Sequence, residues 1–451
     1  MFSEYIISRI NKLVNKNRNQ IFKVAEYIWK NPETGYREWK TTAYMKEQFE
    51  KLGFNVVCMD NITGFYADLN TGRPGPALAI LSELDSVICA EHPDADPVTG
   101  AVHACGHHSQ CAYLVGAAAM LHDPEILSGM CGTVRFIAVP AEEFLEIEYR
   151  MSLREQGIIK YFGGKAEYLW RGVFNDIDAA IMIHSGDGRK SLKISGKHNG
   201  FLSQKITYTG KSAHAGAFPY NGINALYAAV LGIQAINSIR ETFRDENTTR
   251  VHPIITDGGK AVNVLPETVK LESMVRGSTI ESITEESKKI NRALAGSALS
   301  LGARVRINSF MGYLPLHQDE NLNDLARKVG IALFGENKVE INDNICAGST
   351  DMGDLSSVIP VIHPYSGGRE GTSHGADDHV FDTEIVYIDS TRFITGLAYA
   401  LLSEEGIRLH EIKNKYKPVF NKYQDYFNFM DKMNNDQELI TYNGNSAMAV
   451  W

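Results

Sequence analysis

Cys105-x-His107, the adjacent pair Glu142-Glu143, and the single residues His184 and His374 are side chains whose types and spacing suit metal chemistry. Thiolate and imidazole are good ligands for zinc and similar ions. In extended backbone, positions i and i+2 share a face, so Cys105 and His107 can meet one ion, with Gly106 allowing a tight backbone between them. Taken alone, the tripeptide reads equally well as a buried cysteine beside surface histidines. Neighbouring carboxylates can divide their work, one binding metal and the other moving a proton. A Glu-Glu pair is nonetheless common on protein surfaces. His184 at a strand end, and His374 in the polar loop Gly371 to Asp378, are each as readily structural as ligating. Asp85 is placed to orient a ligating histidine or to cap a helix. Together the set offers Cys, His, Glu, His and His. That is more than one tetrahedral zinc takes, so a two-metal site with a bridging water is the natural reading.

Elements of regular structure must bring these groups together. Apolar periodicity predicts helices over 5–30 and 41–52. Ala77 to Leu81 is a short apolar run, followed by Ser82-Glu83-Leu84-Asp85. Cys111 to Leu121 reads as an Ala-rich helix, and Thr133 to Val139 and Ala179 to Ile183 as strands. Short apolar strands separated by helices imply an α/β fold with a mostly parallel sheet flanked by helices. Ligands collect at the carboxyl ends of such strands, and that is where Asp85, Glu142 and His184 fall. After residue 194 the texture changes. A strand over 201–208, a helix over 223–240, two short strands within 261–275 around Leu265-Pro266, and a helix over 282–301 predict an inserted two-layer α/β sandwich. The expected organisation is a discontinuous catalytic domain of 1–193 and 310–405, with helices at 320–334 and near 386–403. The inserted domain covers 194–309, and a charged, Asn-rich C-terminal extension, read as a solvated helix, covers 406–451.

Bulk properties narrow the partners. A net charge of −9 leaves no excess of Lys or Arg for phosphates, which argues against nucleic acid. No stretch approaches the ~18 apolar residues of a membrane span, and the N-terminal segment has no signal-peptide core. The six cysteines lack disulfide-scaffold density. Reduced thiols in a cytoplasm are expected, which leaves one free to bind metal.

At this point the residues resemble a family, the co-catalytic metallopeptidases and amidohydrolases. It includes aminoacylase, glutamate carboxypeptidase, indole-acetyl amino acid hydrolase and aminobenzoyl-glutamate hydrolase. The similarity runs from about residue 20 to 403. It is carried by Ala104-Cys105-Gly106-His107, Pro140-Ala-Glu-Glu143, the strand-terminal His184, Gly210-Lys-Ser-Ala-His214-Ala-Gly, Gly222-Ile-Asn224-Ala, Gly259-Lys-Ala-Val-Asn263-Val-Leu-Pro, Val275-Arg276, Gly348-Ser-Thr-Asp351-Met-Gly-Asp354 and Ser373-His374-Gly. The resemblance implies metal ligands Cys105, His107, Glu143, His184 and His374, with Glu142 as general base and Asp85 orienting the cluster. It implies two divalent ions, zinc or manganese, with cobalt or nickel as alternatives. It implies that His214, Asn263 and Arg276 of an inserted lid and dimerisation domain hold the substrate carboxylate or oxyanion, His214 serving a second subunit. The expected substrate is an N-acyl amino acid or short peptide with a free carboxylate, and the expected assembly a homodimer or higher homo-oligomer.

Departures from the family pattern are also legible. His108 stands where Asp or Asn is usual, adding an imidazole near the metals. Asp85-Ser86-Val87-Ile88 replaces an Asp-Ala-Leu-Pro segment, and 144–160 is longer than usual. Competing readings are a catalytically inactive binding protein on the same fold, a dipeptidase or carboxypeptidase, and a thiol-nucleophile hydrolase using Cys105 with His107. A zinc base deaminase would need Cys-x-x-Cys, which the sequence lacks.

Overall fold

The computed structural model describes residues 3–342, 344–444 and 446–451; Met1, Phe2, Asp343 and Asn445 lie outside the described residues. The chain forms two compact units. The first comprises Met1–Gly196, His317–Asn344 and Asp354–Asn421, the second Lys197–Leu316, Ile345–Gly353 and Lys422–Trp451.

The first unit is built on a six-stranded sheet. Its order is Val56–Cys58, Phe65–Asn70, Thr133–Val139, Ala77–Glu83, Ala179–Ile181, Val361–Ile362. The strands from Thr133–Val139 onward run parallel to one another, and the two on the other side are antiparallel. The parallel strands are almost fully buried, as continuous Val, Ile, Leu and Ala runs between helices require. Helix His107–Leu121 buries nearly every residue and packs against helix Glu4–Trp29, helix Ser390–Leu402 and strand Ala77–Glu83. This is the α/β architecture with a mostly parallel, helix-flanked sheet that the sequence predicts. Glu384–Leu402 has the length, 19 residues, and the mean hydropathy, 1.2, of a membrane span. Its most apolar stretch is 83% buried inside this unit, so it reads as a core helix.

The second unit is a sheet backed by two helices. Strands Arg250–Asp257, Thr268–Gly277, Gly200–Thr209, Arg304–Tyr313 and Asn435–Glu438 lie side by side, and neighbours are antiparallel throughout. Helices Ala225–Ile239 and Ile280–Ser300 pack on one face, over a core that includes Ile206, Val269, Leu271, Ile290, Leu294 and Val305. The helix caps match their sequences. Asn224 accepts from the Leu226 and Tyr227 amides, and Thr279 with Ser282 closes a reciprocal box.

The structure differs from the sequence reading in four places. Cys105 and His107 are not in a strand, because Gly106 has φ 107° and caps helix His107–Leu121. The strand before His184 ends at Ile181, and His184 opens the next strand, His184–Asp187, which pairs with Tyr365–Glu370. Residues 261–264 form no strand. The strand paired with Thr268–Gly277 is Arg250–Asp257, and Pro253 within it lies on the sheet edge, where its missing N–H is tolerated. The segment 406–451 is not one solvated helix. Helix Ile407–Lys415 stays with the first unit, while Asn435–Glu438 adds a strand to the second unit's sheet and buries Leu439 and Ile440 in its core.

Gly164 shows how tightly the strand exits are packed. A Cβ there would lie 1.7 Å from the Pro140 carbonyl oxygen. Gly164→Ala is therefore expected to cost about 1–3 kcal/mol, read as a lowered thermal midpoint by differential scanning fluorimetry. Gly296→Ala, where the added Cβ would meet nothing within 4 Å on helix Ile280–Ser300, should be neutral or stabilise by about 0.5–1 kcal/mol. Equal midpoints for the two variants would contradict the close approach at Gly164.

Candidate metal centre

Three strand exits and two loops of the first unit bring the predicted groups together. Strand Ala77–Glu83 delivers Glu83 and Asp85, Thr133–Val139 delivers Glu142 and Glu143, and Ala179–Ile181 leads to His184. The turn at Gly106 brings Cys105 and His107. His374 has φ 63°, and its amide donates to the Ala104 carbonyl at 3.1 Å, which ties its loop to the Cys105 turn. Among the described residues, three groups have ligand atoms within 4.8 Å of one another. They are Cys105, His107 and His184; Cys105, Glu143 and His374; and Glu83, His107 and Glu142. Cys105 belongs to the first two.

The individual contacts are those of a ligand cluster. Cys105 Sγ is 3.4 Å from His184 Nε2, and His374 Nε2 is 3.3 Å from Glu143 Oε1. His184 Nδ1 is 2.7 Å from the Ser185 carbonyl, and His107 Nδ1 is 2.8 Å from the Asp85 carbonyl. A carbonyl only accepts, so each Nδ1 carries the hydrogen and each Nε2 presents a lone pair. Asp85 is fully buried. Its carboxylate accepts the Glu143 amide at 2.8 Å and sits 3.2 Å from His107 Nδ1. It thus contacts one histidine ring and the backbone of Glu143.

A divalent ion fits this arrangement. Nε2 of the buried His107 makes no hydrogen bond, and neither does Glu143 Oε1. Nε2 nevertheless faces Glu83 Oε2 at 3.2 Å and Glu142 Oε2 at 3.9 Å. A lone pair held against carboxylates calls for a cation between them. Burial lowers the His107 pKa, but Cys105 and Glu83 outweigh it and raise it well above the usual value, so the surroundings favour positive charge at this point. Burial, with His107 next, drops His184 to about 3, which keeps it neutral as a ligand must be. Burial, then the charge of Glu143, pushes the Cys105 thiol up. A cation is what would favour its thiolate.

The other predicted residues are placed as follows. His214, Asn263 and Arg276 lie in the second unit. His214 is exposed, and its Nδ1 accepts from the amides of Gly216 and Ala217 at 3.2 and 3.0 Å, leaving Nε2–H as an outward donor. Asn263 is also exposed, and its carbonyl accepts the Ala215 amide at 3.0 Å, so it neighbours His214. Arg276, on strand Thr268–Gly277, is partly buried, donates to Ser349 Oγ at 3.1 Å and lies over the Phe201 ring. His108 joins none of the metal-capable groups among the described residues. It is fully buried, its ring meets Trp29 edge-on at 4.8 Å, and its Nε2 is 3.1 Å from Tyr387 Oη. Consecutive helical residues point about 100° apart, so His107 and His108 serve different neighbours.

Sequence reasoning missed several supports. Glu38 is fully buried, accepts the Ala141 amide at 2.8 Å and the Thr63 hydroxyl at 2.5 Å, and so fixes the turn before Glu142. Burial, then Asp85, pushes its carboxyl up to about 8. In the long segment 144–160, helix Ile147–Glu155 carries the buried Arg150, which donates to the Glu143 and Phe162 carbonyls. Lys165 is buried against Glu83. Glu83 itself had a readable signal: it closes the apolar strand Ala77–Glu83, two residues before Asp85. Glu38 and Lys165 are 103 and 82 residues away from what they hold and left none.

Comparison with known proteins agrees with the geometry. Residues 196–300 match the model of the M20 peptidase dimerisation domain. The chain is 27% identical over 377 residues to the Xaa-Arg dipeptidase of Mus musculus, covering 80% of each chain. It is 28% identical over 321 residues to the N-acetyl-L-cysteine deacetylase of Bacillus subtilis, covering 68% of this chain and 71% of that one. The crystal structure of a dinuclear metal-binding peptidase of the M20 family from Bacillus subtilis superimposes with a TM-score of 0.66 at 21% identity, covering 86% of this chain and 99% of that one. The chain thus carries an M20 peptidase dimerisation domain, its homologues are named dipeptidases, deacetylases and amidohydrolases, and its structural neighbours are M20 peptidases.

Proposed function

We propose that the protein hydrolyses the amide bond of an N-acyl amino acid or dipeptide with a free carboxylate on the leaving-group side, using two divalent ions and Glu142 as general base. The observation that carries this reading is the position of Cys105 in two ligand triads at once, one with His107 and His184, the other with Glu143 and His374. Cys105 would offer a thiolate ligand to both groups. Zinc suits the sulfur ligand, and manganese, cobalt and nickel are the alternatives. Bound metal would lower the pKa of a shared water and polarise the scissile carbonyl.

The chain's own groups divide the remaining work. Glu142, next to the ligand Glu143 and buried at the strand exit, takes the water's proton and passes it to the departing amine. Asp85 fixes His107 and the Glu143 backbone. Arg276 offers a planar fork suited to a carboxylate. Asn263 adds a neutral donor, and His214, anchored through Nδ1, offers Nε2–H to a carboxylate or oxyanion, in the site of a second copy. The relatives' names include both a dipeptidase and a deacetylase, and both reactions need the same site. A cytoplasmic location goes with the free cysteines.

A homodimer is supported by the second unit's surface. Arg250–Asp257 is an edge strand with Ile254 and Ile255 exposed, and helix Ala225–Ile239 exposes Tyr227, Val230 and Leu231. The opposite edge strand, Asn435–Glu438, is short and polar. An uncovered apolar edge invites pairing with a second copy.

Three outcomes test this reading. Glu142→Gln should lower kcat by at least ~10²–10⁴-fold with metal content unchanged by elemental analysis; near-wild-type turnover would reject the general base. Exhaustive chelation should abolish hydrolysis of a panel of N-acyl amino acids and dipeptides, and added zinc or manganese should restore it. Activity that survives chelation but dies on thiol alkylation would favour a Cys105 nucleophile instead. Light scattering after size exclusion should give a dimer mass that Ile255→Arg shifts toward the monomer; a wild-type monomer would remove His214 from the mechanism.

A further inference from the structure

The ligand set above leaves the buried charge pair Glu83 and Lys165 without a role. Glu83 and Lys165 side chains are 1% and 0% exposed, and Lys165 Nζ lies 2.5 Å from Glu83 Oε1. Gln110 holds the same residue twice, accepting the Glu83 amide at 2.7 Å and donating to Oε2 at 2.8 Å. Burying such a pair is costly unless the geometry is fixed and the remaining lone pairs are used. A carboxylate present only to neutralise Lys165 has no need of the neighbour that Oε2 has. Oε2 is 3.2 Å from Nε2 of His107, a fully buried atom that makes no hydrogen bond. With Nδ1 donating to Asp85, a neutral His107 would hold a lone pair against a carboxylate oxygen. The two repel unless a cation lies between them. Two atoms bound to one tetrahedral zinc at ~2.0–2.1 Å would be ~3.3 Å apart, which matches the observed gap. A carboxylate has lone pairs for Lys165, Gln110 and an ion together.

We propose that Glu83 is a carboxylate of the metal centre: its Oε2 completes the subsite around His107, and Lys165 balances the charge it brings. Glu83 would then serve one ion with His107, the two lying within 4.8 Å of each other and of Glu142, while Cys105, Glu143 and His374 form a separate group. Glu142 keeps its proposed role in proton transfer. The inference rests on the two-metal reading above and adds a residue to it. Gln110 sets the direction of Oε2, so the subsite is built by strand Ala77–Glu83 and helix His107–Leu121, not by loops alone.

The test is metal binding, not turnover. Purified wild-type protein, Glu83→Gln and the double variant Glu83→Gln with Lys165→Met are stripped of metal and titrated with zinc and, separately, cobalt. Elemental analysis gives stoichiometry, calorimetry gives affinity and visible absorption gives the cobalt environment. Wild type should take up two equivalents. Glu83→Gln should bind one as tightly as wild type and the other at least ~10–100-fold more weakly. Its cobalt d–d bands should shift while the Cys105 thiolate-to-cobalt band persists. The double variant removes both charges, so it should show the same weakening with a metal-free thermal midpoint above that of Glu83→Gln. This separates lost ligation from lost folding. Folded variants that bind both equivalents with wild-type affinity and spectrum would overturn the proposal and leave Glu83 as a structural partner of Lys165. A wild type that takes up no metal would overturn the proposed function itself, and this inference with it.

Discussion

Glu83, Asp85, Glu142 and Glu143 are held with Cys105 at the carboxyl ends of neighbouring strands, four carboxylates and a thiol in a largely buried place. Packing so many acidic groups away from water is unfavourable unless positive charge lies among them. The fold supplies part of it through Lys165 on Glu83. It supplies oriented dipoles as well, such as the Glu143 amide on Asp85. The rest is left to whatever cation the histidines and Cys105 accept. The surrounding elements can be understood as the scaffold that keeps this charge imbalance in place.

Rigidity comes from burial behind the site. Helix His107–Leu121 is sunk between helix Glu4–Trp29 and the sheet, so the His107 ring at its first turn has little freedom. Glu38 and Arg150 hold the backbone on either side of Glu142 and Glu143, one through the Ala141 amide and the other through the Glu143 carbonyl. Supporting contacts of this kind keep ligands in place before the metal arrives, which reduces the ordering cost of binding. His108, Trp29 and Tyr387 pack together beside the same helix start. The His at position 108 is thereby explained as a packing choice more than a metal choice.

The second unit follows a different logic. Its sheet is antiparallel with one face covered by helices, so its strands alternate in burial, as Thr268–Gly277 does along its length. Its two edges are unlike. The C-terminal strand Asn435–Glu438 forms one, four residues long and anchored by Leu439 and Ile440 in the core, and the longer strand Arg250–Asp257 forms the other, with Ile254 and Ile255 exposed.

Much of this was legible from the chain alone. Apolar periodicity located the main helices to within a few residues, because burial of one face dictates it. The apolar runs ending in Asp85, Glu142 and near His184 located the strand exits, because parallel strands must be apolar along their length. Ordered motifs named the ligand candidates and the family. Tertiary structure decided what periodicity does not encode. Gly106 turned the backbone left-handed, so Cys105 and His107 meet at a helix start and not along a strand. The tail after Lys422 became a strand because the edge of a distant sheet was open to it. Glu83 became part of the site only when Lys165, 82 residues away in sequence, was folded against it. A sequence fixes which side chains are available and which faces they share locally. The energy of a buried charge depends on what lies within a few ångströms in space, and only the folded chain sets that.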